Sequence, residues 1–139
     1  MKTIRWCIVL FSLTALIHPI ASLSNVDVTG TWQSSYSFGG VTETMTADIQ
    51  QIGNNIIGSY SVDVNSTGEG YGGIIFGTVD GGKIKAFYLA IKSEDGRDPL
   101  TTISFTDGRV INDDNIKGEF YYRDSNSLQL SGPFEATRI

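Results

Sequence analysis

The chain of 139 residues has a single cysteine, Cys7, and a single histidine, His18, and both fall in its first 24 residues. Those residues read "MKTIRWCIVLFSLTALIHPIASLS": a basic start at Lys2 and Arg5, an apolar run from Trp6 to Ile17, and small residues at Ala21, Ser22 and Ser24. This is the layout of a secretory signal peptide, with cleavage expected after Ser24 or Ser22. The apolar run is short of the roughly 20 residues that span a membrane as a helix, an uncleaved anchor being the alternative. Cys7 lies inside the run and not behind a cleavage site, which excludes it as a lipid-attachment residue.

Without residues 1–24 the remaining chain, 25–139, has no thiol and no imidazole. Disulfides, Cys-His and Ser-His-Asp catalysis, and zinc held by Cys or His are therefore excluded by composition. A secreted domain without disulfides must be stabilised by its own core, and 115 residues are enough for one core and too few for two.

Basic charge is also scarce. The mature chain keeps 8 of the 10 basic residues and all 15 acids, a net charge of −7. Asp27, Glu43, Asp48, Asp63, Glu69 and Asp80 all precede its first basic residue, Lys83. This balance argues against nucleic acid and anionic membrane surfaces as partners. The acidic half reads either as ordinary soluble surface or as a region that attracts cations.

No helical repeat is present after the leader. From Thr29 onward apolar and polar residues alternate, interrupted about every 8 to 12 residues by Gly, Asn and Asp clusters, the pattern of an all-β sandwich or barrel. Residues 31–38 put Trp32, Ser34, Tyr36 and Phe38 on one face. After Gly39 and Gly40, residues 41–52 turn Val41, Met45, Ala47 and Ile49 inward, and Glu43 with them. "GNN" at 53–55 makes a turn, and residues 56–64 then align Ile56, Gly58, Tyr60, Val62 and Val64. "NSTGEGYGG", residues 65–73, reads as an exposed glycine-rich loop; its Asn65-Ser66-Thr67 is an N-glycosylation sequon, used or unused.

Residues 73–80 and 83–92 form a hairpin around Gly81 and Gly82. Segments 100–107, 116–123 and 128–139 complete a set of eight strands, with "SEDGRDP" and "GRVINDDN" as turns, and the last places Leu128, Leu130, Phe134 and Ala136 on one face. Pro133 removes a ladder donor, so a bulge or a free edge is expected there. An echo between "NNIIGSY" and "DNIKGEF" marks Gly58 and Gly118 as positions where an aromatic ring crosses the strand. Eight antiparallel strands of this length are the number at which a sheet closes on itself. The expectation is one all-β, antiparallel, up-and-down eight-stranded barrel over residues 25–139. Its fifth strand is apolar on both faces, with Ile84, Ala86, Tyr88 and Ala90 on one and Phe87, Leu89 and Ile91 on the other. Something should cover the outer face, either a second subunit or an inwardly folded loop.

"TGTW" at 29–32, "IIGSY" at 56–60 and "GIIFGTVD" at 73–80 resemble the opening strands of the avidin and streptavidin family. They are more distantly similar to lipocalins, whose first strand also carries Gly-x-Trp. The resemblance covers about the first half of the mature chain. It implies a secreted eight-stranded barrel with a ligand mouth at one end, often assembled as a tetramer. By position, Trp32 matches the barrel-floor tryptophan and Tyr60 the tyrosine that hydrogen-bonds the biotin ureido oxygen. The serine expected two residues past Tyr60 is Val62, and the later tryptophans of the biotin pocket are absent, so the resemblance carries the architecture and not the biotin site.

Two readings of function remain. Trp32, Tyr36, Phe38, Tyr60, Phe105, Phe120 and Phe134 are candidates for the interior, and so many rings can fill an eight-stranded barrel unaided. Ser34, Tyr36, Glu43 and Tyr60 share those inward faces, and buried polar groups are costly unless paired. Their convergence points to a ligand site at the barrel mouth made by Trp32, Ser34, Tyr36, Glu43 and Tyr60, although a slip of one residue turns Glu43 outward. Catalysis would rest on carboxylates alone, and Glu43, Asp63 and Glu69 show no pairing pattern. "SEDGRD" and "NDDN" do not match an EF-hand calcium loop. The expectation is a secreted, extracellular or periplasmic, non-enzymatic protein with no cofactor or metal, binding a small molecule or a protein. It forms a homo-oligomer through Phe87, Leu89 and Ile91. The alternative is a structural or adhesive extracellular module with a self-filled core.

Overall fold

The structure, a computed structural model, describes residues 26–38, 41–64, 70–92, 100–123 and 129–139. Residues 1–24, Asn65, Glu69 and Leu128, with the side chains of Phe38 and Ile91, lie outside that set. Eight strands follow in order: β1 (Gly30–Phe38), β2 (Val41–Ile52), β3 (Asn55–Val64), β4 (Gly70–Asp80), β5 (Lys83–Lys92), β6 (Leu100–Asn112), β7 (Asn115–Arg123) and β8 (Gln129–Arg138). Each pairs antiparallel with the next, and β8 returns to β1 to close the barrel. Short turns enforce this order. Gly53, Gly81 and Gly82 hold φ of 60°, 54° and 78° at two hairpins, the left-handed region that a tight turn requires and glycine enters without a Cβ clash.

Several boundaries differ from the sequence expectation. β4 begins at Gly70 and not at Gly73, so Gly70, Tyr71 and Gly72 belong to a strand; pairing with Asp63, Val62 and Ser61 satisfies their backbone groups and outweighs the entropy cost of ordering glycine. β6 continues through "GRVIN", where an irregularity between Val110 and Asn112 absorbs one residue before the Asp113–Asp114 turn. Gly58 and Gly118 serve close strand approach and not ring packing. A Cβ on either would collide with a neighbouring backbone carbonyl, that of Asp48 or of Asp107. The rings that do lie over glycines are Phe120, 3.1 Å from a Cβ at Gly132, and Phe134, 3.1 Å from a Cβ at Gly108.

Phe105, expected inside, lies on the outer wall, its ring 4.9 Å from Phe87 and 5.9 Å from Tyr121. Ser104 and Thr106 face inward in its place. Alternation identifies the two faces of "ISFT" but cannot choose between them when each carries both polar and apolar residues. Pro133 sits opposite Glu119 in an unbroken β7–β8 register. Its other side belongs to a stretch of β8 that β1 does not pair, because the two strands meet at Trp32↔Arg138 and Gln33↔Thr137 and nowhere further toward the mouth among the described residues.

One end of the barrel is shut. Residues 26–29 cross beneath it, and Val28 is completely buried. Trp32 Nε1 donates to the Val28 carbonyl at 2.9 Å, and the Arg138 guanidinium lies 4.5 Å from the centre of the Trp32 ring. The same guanidinium donates to the carbonyls of Asp27 (2.9 Å), Asp113 (2.8 Å) and Thr29. Gln51 clamps the crossing segment from the other side, accepting from Val28 N at 3.0 Å and donating to the Val26 carbonyl at 3.0 Å. Above this floor the core is aliphatic, built on Ile49, Ile56, Ile75, Val79, Ile84 and Ile116.

Arg138 therefore joins the last strand to the floor. Arg138→Ala should cost about 3 kcal/mol through lost charge-assisted hydrogen bonds and the contact with Trp32. Arg138→Lys should cost about 2 kcal/mol, because an ammonium cannot reproduce the fork. Urea unfolding of the mature chain, followed by the fluorescence of Trp32, reads both.

Candidate functional site

The end opposite the floor is the mouth. Glu43 stands across from Tyr36 on β1 and from Val64 on β3, so period two brings these three residues to one level on the inner face. Tyr71, one inward position along from that level on β4, donates its hydroxyl to Glu43 Oε2 at 3.2 Å. The Tyr36 hydroxyl lies 3.4 Å from that of Tyr71. With the Tyr71 proton directed at the carboxylate, Tyr36 is the donor to Tyr71, and the three form a proton-ordered chain ending on an acceptor.

Aromatic rings lie below this chain. Tyr60 meets Tyr88 edge to face at 5.5 Å, and Tyr36 approaches Phe120 at 6.1 Å across the β1–β8 gap. Thr106 Oγ1 makes a long hydrogen bond, 3.5 Å, to the Tyr88 hydroxyl. Burial pushes the Tyr60 phenol up to about 12. Burial also raises Tyr36, helped by its hydrogen bond with Tyr71, and raises Tyr71 and Tyr88. All four remain neutral donors near neutrality. The arrangement presents one carboxylate and several hydroxyls over an apolar ring layer, chemistry suited to a molecule with a hydrogen-bond donor at one end and an apolar body.

Of the five residues expected at the mouth, the structure brings Tyr36 and Glu43 together there. Ser34 is half-buried one inward position lower, opposite Met45. Tyr60 lies deeper, in mid-barrel, only 8% exposed. Trp32 is not at the mouth at all; it is part of the floor, its ring nitrogen already bound to Val28. The reason is geometric: each inward step along a strand advances about 6.6 Å, so a single strand face runs the whole depth of the barrel. Asp63 faces outward, away from Glu43, so these two carboxylates do not form a pair.

Sequence reasoning missed Tyr71, concealed in a glycine-rich stretch, although Tyr71, Gly73, Ile75, Gly77 and Val79 keep an uninterrupted period of two. It also missed Arg138, whose partners are 109 and 111 residues away in sequence.

A raised phenol pKa has a signed consequence. The unfolded chain ionises first, so stability from these tyrosines is complete below their ordinary value of about 10 and is lost as pH climbs from there toward the folded value of about 12 for Tyr60. Absorbance titration at alkaline pH should show Tyr36, Tyr60, Tyr71 and Tyr88 ionising later than free tyrosine, with unfolding midpoints falling over the same range. Tyr71→Phe should remove one late-titrating phenol. No protein-family model matches the chain, and no curated protein or solved structure matches it at a significant level.

Proposed function

We propose that the mature chain is a secreted, non-catalytic binding protein that holds a small molecule at the barrel mouth. The leader at residues 1–24 supports secretion. The observation that carries the binding reading is the Tyr36–Tyr71–Glu43 chain on the inner face. Glu43, half-buried on the inner face, accepts one hydrogen bond from Tyr71 and keeps further acceptor capacity, which a ligand amine or hydroxyl can fill. The net charge of −7 favours cationic ligands at long range. Biotin is disfavoured, because Val62, in place of the family's serine, is fully buried core. The avidin-like resemblance supports the architecture and leaves the ligand to the tyrosines and Glu43.

The second reading, a structural or adhesive module with a self-filled barrel, is favoured by a different observation. Side chains from every strand pack the interior, and among the described residues two open clefts lie on the outer wall. One of them, of about 690 Å³, lies over Asp48, Gly58, Ile57, Ile74 and Phe76.

Native mass spectrometry of the protein from its own host separates the two readings. Binding predicts an extra mass, released on denaturation and distinct from a glycan, that is lost from Glu43→Gln and reduced about tenfold in occupancy in Tyr71→Phe, the size of one hydrogen bond to a charged group. Both variants should keep the wild-type circular dichroism. A bare wild-type chain favours the self-filled barrel.

A further inference from the structure

The outer wall is written in two chemistries. On β1 and β2 the outward positions are Thr31, Gln33, Ser35 and Ser37, then Thr42, Thr44, Thr46, Asp48 and Gln50, with Ile52 at the end of β2 the one apolar residue among them. Their hydroxyls bond across the strands, Ser35 to Thr44 at 3.2 Å and Ser37 to Thr42 at 3.1 Å. On β3 to β7 one outward residue of each strand contributes to an apolar ladder. Ile57 stands opposite Phe76, Phe76 opposite Phe87, Phe87 opposite Phe105, and Phe105 opposite Tyr121. A second row, Ile74, Leu89 and Ile103, runs beside it. Phe76 and Phe87 stack at 5.5 Å with 17° between their planes. Set beside the hydroxyl-rich wall of β1 and β2, the contiguous ladder is a face built to be covered.

We propose that the cover is a second copy of the same chain, packed face to face through this ladder as an isologous dimer. Three observations select that occupant. The first is area. Ile57, Ile74, Phe76, Phe87, Ile103 and Tyr121 are 40% to 56% exposed. With about 150–250 Å² per fully exposed side chain of this size, they present on the order of 600 Å² of apolar surface. Used twice, that surface reaches the range of about 1,200–2,000 Å² of a stable interface once the rim is added. The second is charge. Copies of a chain at −7 repel, but cations gather beside this ladder: Lys83, Lys85, Arg109 and Lys117, interleaved with Asp107 and Glu119, line a shallow cleft of about 570 Å³ on the same wall. Lys85 pairs with Asp107 at 3.8 Å and Lys117 with Glu135 at 3.0 Å. The two rows hold no charge before Arg123 at their edge, the composition of an interface core with a mixed-sign rim. The third is topology. β3 to β7 are paired on both sides, so no strand edge is available there and association must use the sheet face, as two sheets packing about 10 Å apart do.

Sedimentation velocity of the secreted mature chain should show a two-chain species. Phe87→Glu and Phe76→Glu, both on the outer wall, should each raise the dimer dissociation constant about thirtyfold or more, a hot-spot loss, while Trp32 fluorescence and the unfolding midpoint stay near wild type. A second measurement does not depend on those variants folding. In the thiol-free mature chain, Leu89→Cys on the central strand should form an intermolecular disulfide under mild oxidation, and Ser35→Cys on the hydroxyl wall should not. A wild-type chain that remains monomeric at high micromolar concentration overturns the proposal, whether it then adsorbs to lipid vesicles or stays free. A dimer unaffected by Phe87→Glu, or one crosslinked through Ser35→Cys, overturns it as well.

Discussion

The contact on which the rest of this barrel depends is the stacking of Arg138 on Trp32. A sheet of eight strands has two ends to join, and nothing in local β propensity brings residue 32 to residue 138. The guanidinium does so by meeting several unpaired carbonyls of the crossing segment and the Asp113 turn while its face covers the tryptophan ring. Val28 then has a dry place to sit, and Gln51 fixes the chain that carries it. The floor makes the interior one-ended, and a one-ended interior is what gives the opposite rim its distinct chemistry.

That rim and the outer ladder divide the aromatic residues between two tasks. Tyrosines dominate inside, where a ring must pack and its hydroxyl must find a partner. Phenylalanine and isoleucine dominate the outer wall of β3 to β7, where no hydroxyl is needed once water is removed. The two surfaces meet on β5, which contributes Tyr88 inward and Phe87 outward. A dimer formed through the ladder would stiffen the strands carrying Tyr71 and Tyr88, so the wall and the mouth share their scaffold.

Much of the fold could be read from alternation and turn chemistry. Strands 41–52 and 83–92 have the expected limits, and Glu43 faces inward as the period of Val41, Met45 and Ala47 requires. Alternation failed where both faces carry similar residues, as at Phe105, and where glycine hides a strand, as at Gly70 to Gly73. It also carries no information on depth, which is why Trp32 and Tyr36, four residues apart and on one face, belong to opposite ends. Arg138 could not be found from its neighbourhood, because its meaning lies entirely in partners distant in the chain.

The partial pairing of β1 with β8 sets where this molecule breathes. Beyond Gln33 and Thr137 the described residues of the two strands form no ladder pairs, and the Tyr36 ring of β1 reaches Phe120 of β7 across that gap. A local parting of the seam would expose the amides on those two edges, while those of β2 to β7 are held by ladders on both sides. The parting widens the mouth and leaves the floor intact. Any molecule held above Tyr60 would therefore come and go at a rate set by this seam, decoupled from the global stability of the barrel.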